Sequence, residues 1–162
     1  RFDSSRYELD CTAHYKLTRN QFTRRGSEMS HFTTVETKIK DLVALKRALK
    51  ELNITFSEAE QGEQVFVKGY QGQTTEAVMS IHISKSYDIG VKVDDKGNVQ
   101  FVSDWWGVET TRGWSEEEFV KKVTRKYSYH KVMQEIQDRG YTLDSEEVKD
   151  DQTVQIRVRT WS

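Results

Sequence analysis

The chain has 162 residues, about one domain's length, with 31% of them charged and no proline. Leu, Ile, Val and Phe together number 37, enough for a modest core under a strongly solvated surface. A net charge of −1 leaves no basic footprint for nucleic acid, no apolar run is long enough to span a membrane, and the single cysteine, Cys11, excludes an internal disulfide and a cysteine-built zinc site.

Composition breaks at residue 29. Residues 1–28 hold only four of the 37 core-type residues, Phe2, Leu9, Leu17 and Phe22, with six basic residues against four acidic ones. This divides the chain into a polar N-terminal arm, 1–28, and a single α+β domain, 29–162. Two readings of the arm stay open: a disordered tail, or the remainder of an organelle-targeting extension. Its Arg and Ser content fits the second, and Asp3, Glu8, Asp10 and Glu28 do not. An arm this polar has too few apolar groups to order itself, so order there implies packing on its own domain or on a partner.

In the domain, residues 31–39 form a Thr-rich strand with Thr33, Val35, Thr37 and Ile39 on one side. Asp41 caps a helix whose buried stripe is Leu42, Leu45, Leu49 and Leu52, and Asn53 ends it. Four strands follow. One centres on Val65-Phe66-Val67, one alternates Ala77, Met79, Ile81 and Ile83, one alternates Ile89, Val91 and Val93, and one carries Val99 and Phe101 after the turn Asp94–Asn98. Trp105 and Trp106 precede a loop with Gly107 and Gly113, and two readings of them stay equally open: an exposed partner surface or a satellite core cluster. Ser115 and Glu118 make a capping box, flanked by Trp114 and Phe119 as a hydrophobic staple. The helix runs to Gly140, with a break near Ser128 left open. A hairpin of residues 141–146 and 153–161 closes the chain, with Val154, Ile156 and Val158 facing in. The class is α+β: an antiparallel β-sheet meander with two or three helices packed on one face.

Chemistry is sparse. The four histidines, His14, His31, His82 and His130, have no metal-binding spacing. His82 alternates opposite Ile81 and Ile83 and belongs on the sheet surface. The stretch Gly69-Tyr70-Gln71-Gly72-Gln73-Thr74 is either a tight turn or a close backbone approach to a ligand, and it lacks the end of a phosphate loop. Asp94, Asp95 and Asn98 resemble only a fragment of a calcium loop, with Lys96 among them. Lys121, Lys122, Arg125 and Lys126 crowd one helix, where an RNA or phosphate contact is the alternative to a solvated face, and Glu116–Glu118 beside them favour the solvated face. No catalytic set, metal site or cofactor is expected. The candidate partner-binding residues are Gly69, Tyr70, Gln71, Gly72, Trp105, Trp106, Tyr129 and His130, since exposed aromatics anchor interfaces.

Five stretches carry a family resemblance: Met-Ser-His-Phe at 29–32, Gly-Tyr-Gln-Gly-Gln-Thr at 69–74, Tyr-Asp-Ile-Gly at 87–90, Tyr-Ser-Tyr-His at 127–130 and Arg-Thr-Trp-Ser at 159–162. Residues 29–162 resemble the hypothetical chloroplast reading frame 35 family, also classed as domain of unknown function 1257. The resemblance implies a small soluble protein of cyanobacteria and plastids with no established catalytic residues. Family members typically begin at the Met matching Met29, so the arm departs from the pattern. Import of a longer precursor, cleaved to leave Arg1, is one account of it. The expectation is a non-catalytic accessory or assembly protein, docked on the stromal side of a large photosynthetic complex such as a photosystem. The alternative, from family genes lying near those of AAA-type ATPases, is an ATPase adaptor in assembly or remodelling. A ligand-binding or enzymatic domain using residues 69–74 and His130, or a ribosome-associated protein, ranks below both.

Overall fold

The computed structural model describes residues 2–9, 32–150 and 154–161. Cys11, His14, Met29 and His31, and with them the junction at 29, lie outside the described residues. In chain order the elements are β1 (Phe2–Leu9), β2 (Thr33–Glu36), α1 (Leu42–Glu51), β3 (Thr55–Glu58), β4 (Val65–Lys68), a single turn of 3-10 helix (Tyr70–Gly72), β5 (Thr74–Ala77), β6 (Met79–His82), β7 (Asp88–Val93), β8 (Val99–Ser103), α2 (Trp105–Arg112), α3 (Glu116–Asp138), β9 (Thr142–Val148) and β10 (Val154–Trp161). The α+β expectation holds.

The main sheet has five antiparallel strands in the order β2-β8-β7-β6-β3. Its central strands β6, β7 and β8 are a meander, while β2 and β3 return to the two edges. Register puts Phe56, Ile81 and Ile89 in one row, and Val35, Phe101, Val91 and Met79 in the next. These apolar rows share one face, as strand alternation requires, and α1 and α3 cover them. Phe101, Phe119 and Leu49 are fully buried there, with the Phe101 and Phe119 rings edge to face at 5.2 Å. Burying a Phe of this kind stabilises by about 1.5–3 kcal/mol.

Local signals set the helices. Asp41 accepts from the amides of Val43 and Ala44 at the start of α1, and Asn53 follows its end with φ +57°. Ser115 and Glu118 form the reciprocal capping box of α3. This helix is continuous for 23 residues, with no break at Ser128. The shift in its apolar stripe has another cause: it crosses two sheets. Phe119, Val120 and Val123 pack on the main sheet, while Ile136, with Val132 and Met133, meets Ile156 and Val158 of a second, three-stranded sheet, β1-β10-β9.

Three sequence expectations change. The alternating run 77–83 is two strands, because the chain leaves the sheet plane at Val78 between β5 and β6. The β4–β5 hairpin is a separate two-stranded sheet folded over the polar face of the main one. Val67 is fully buried there, and a Cβ on Gly90 would stand 2.8 Å from Val67 Cγ2. The segment after Trp105 is α2, not a loop, since Asp104 Oδ1 accepts the Gly107 amide at 3.2 Å and caps it. No helix among the described residues is long and apolar enough to cross a membrane.

Candidate functional site

The polar face of the main sheet collects side chains that the sequence keeps apart. His82 lies directly across from Asp88 in the β6–β7 ladder, and opposite Thr55 in the β3–β6 ladder. Ser57 is therefore the diagonal neighbour of His82, within reach of a long side chain on the same face. Ser57 Oγ stands 2.7 Å from His82 Nε2, and His82 Nδ1 stands 3.1 Å from Asp88 Oδ1. Asp88 is 1% exposed and is fixed further by the Lys68 amide, which donates to Oδ2 at 3.0 Å. A carboxylate only accepts, so in the neutral imidazole Nδ1 carries the hydrogen and Nε2 accepts from the serine hydroxyl. No sequence motif joins these three residues, and only the strand register does so.

The predicted partner-binding residues fall into three places. Gly69, Tyr70, Gln71 and Gly72 form the tip of the β4–β5 hairpin, closed by Gly69 N–H to Gln73 O at 2.8 Å and Gln73 N–H to Tyr70 O at 2.9 Å. Gln71 and Gly72 adopt positive φ, so the tight-turn reading fits. Gly69 is buried beneath the Phe32 ring, 2.5 Å from where a Cβ would sit. Tyr70 packs on the core edge. Trp105 is not on a partner surface: it is 7% exposed, and its indole N–H donates to Thr33 O at 3.3 Å. Trp106, one residue on, is 60% exposed.

Tyr129 and His130 lie where α3 passes between the two sheets. The Tyr129 hydroxyl donates to Glu146 Oε2 at 2.8 Å. Burial and then the Glu146 carboxylate push its pKa up to about 12. Glu51 Oε1 lies 2.9 Å from His130 Nε2, without the alignment of a hydrogen bond. Lys126 reaches the same carboxylate at 3.7 Å, Lys121 pairs with Glu117, and Lys122 lies over the Trp114 ring. The basic run on α3 is thus engaged within the domain. Asp94 Oδ1 accepts the amides of Lys96 and Asn98, which makes its segment a turn. Two shallow concavities on the β9–β10 hairpin are lined by Ser145–Glu147, Gln155 and Arg157 and by residues 147–150, and neither includes a predicted site residue.

Residues 48–157 match the family described as protein of unknown function (DUF1257). The chain belongs to this family. Relatives in it include an uncharacterized protein ycf35 of Guillardia theta, 33% identical over 135 residues, covering 82% of this chain and 98% of the relative. The ycf35 protein of Cyanophora paradoxa is 27% identical over 135 residues, 82% of this chain and 98% of its own. That of Pyropia yezoensis is 25% identical over 143 residues, 83% and 99% respectively. All three organisms bear plastids. No solved structure matches the chain. The family match takes in α3, the β4–β5 hairpin tip and the Ser57–His82–Asp88 relay.

Proposed function

We propose that this protein is an accessory or assembly protein of plastids that docks on the stromal side of a large photosynthetic complex, a photosystem foremost. The observation that carries the reading is Trp106. A tryptophan 60% exposed beside a fully packed neighbour is an unused aromatic anchor on a rigid helix. Phe66, on the outer face of the β4–β5 hairpin, adds a second at 65% exposure. The organisms of the relatives support the plastid setting.

The test is co-migration of the full chain with a large complex on native gels of plastid membranes. The expected result is a band shared with a photosystem, lost in Trp106→Ala. Migration only as a free protein overturns the reading. Recovery of an AAA-type ATPase instead of a photosystem moves the assignment to the adaptor alternative.

A further inference from the structure

Apart from the exposed aromatics invoked for docking stands the relay on the polar sheet face, and we propose that it is a nucleophilic acyl-transfer site, with Ser57 the nucleophile and His82 its general base. Such a site is recognised by geometry and roles, whatever the fold or chain order. Ser57 Oγ, His82 Nε2, His82 Nδ1 and Asp88 Oδ1 form one unbroken line of contacts at 2.7 and 3.1 Å. Exposure is graded along it. Asp88 is dry, His82 is 37% exposed at its side chain, and Ser57 is exposed. The orienting end is therefore locked and the reacting end is open to substrate, which is what an activated serine needs.

The edge position of β3 adds a donor. Ala59 N–H bonds to Val78 O at 2.9 Å, so alternation along the ladder turns the Ser57 amide toward β6 and the Glu58 amide toward the open edge. That amide, next in chain to the nucleophile, is placed to donate to the oxygen of a bound acyl group. The surface around Ser57 is open, which suits an acyl ester or thioester at the exposed end of a chain. Ser57 Oγ adds to the carbonyl carbon as its proton passes to His82 Nε2. The C–O or C–S bond then breaks, and the alcohol or thiol leaves with that proton. Water adds by the same route, the carboxylic acid departs, and the Ser57 hydroxyl is restored.

The full chain treated with a fluorophosphonate tests this by intact mass and peptide mapping. The expected result is one adduct, on Ser57, with fluoride released. Ser57→Ala takes none, and His82→Gln reacts at least about 100-fold more slowly, the usual worth of a general base. Turnover of p-nitrophenyl acetate and of acetylthiocholine separates oxyester from thioester substrates. Asp88→Asn lowers kcat with KM unchanged, as a ring-orienting role requires. No adduct, an adduct elsewhere, or His82→Gln reacting at the wild-type rate overturns the proposal. Should a variant fail to fold, the mapped adduct of the unmodified chain still decides.

Discussion

Trp105 and Trp106 are chain neighbours whose side chains leave α2 in different directions, and their substitution separates stability from binding. Trp105→Ala removes a buried ring and its bond to Thr33 O, and costs about 3–5 kcal/mol in urea unfolding. Trp106→Ala, with its ring in solvent, changes stability by less than about 0.5 kcal/mol and weakens docking. Tyr129 offers a titration. Its folded pKa is raised to about 12, above the roughly 10 of an unfolded tyrosine. Its contribution to stability is therefore complete below the unfolded value and lost as pH rises between the two. Tyrosinate absorbance should show Tyr129 ionising late, along with Tyr87, whose hydroxyl burial also pushes up, and Glu146→Gln should bring the Tyr129 step earlier. Asp41 works in the opposite range. Burial pushes its carboxyl up, but the Ala44 amide and Lys131 outweigh that and hold it below the usual carboxylate value. Its stabilisation is present above the unfolded value of about 4 and lost as pH falls through the folded one, which acid unfolding of Asp41→Asn against the unmodified chain measures.

At the scale of elements, signals contained in a few adjacent residues could be read from sequence. The capping box at Ser115 and Glu118, the Asp41 cap and the Asp94–Asn98 turn are of this kind, because each is a local hydrogen-bond pattern. Ser115→Ala should cost about 1 kcal/mol by thermal unfolding. Elements defined by distant contacts were not legible. Strand β3 shows only Phe56 as an apolar signal and is held by pairing to β6. Helix α2 contains Thr110 and Thr111, poor helix formers, and depends on the Asp104 cap and on Trp105 burial. The division of the run 77–83 depends on Val78, where the hairpin leaves the sheet to cover Gly90. Gly90→Ala forces Val67 aside. It should cost about 1–3 kcal/mol as an overpacking change, with faster amide exchange confined first to β4 and β5.

At the scale of the molecule, two sheets share one long helix, and the polar face of the larger sheet lies partly under its own hairpin. Order of secondary structure indicated the α+β class, but strand register alone brings Ser57, His82 and Asp88 together across intervals of 25 and 6 residues. The predicted partner set divides in the same way: Trp106 presents itself outward, while Trp105, Gly69 and Tyr70 support the core. The docking account therefore rests on the outer face of α2. A photo-crosslinking residue placed at exposed position 109 of the full chain, one helical turn from an intact Trp106, and activated in intact plastids, tests it most directly. The account predicts crosslinks to a stromal-side subunit of a photosystem, reduced when the crosslinker is moved to the buried position 108. Crosslinks absent from every large complex, or equal from both positions, would contradict it.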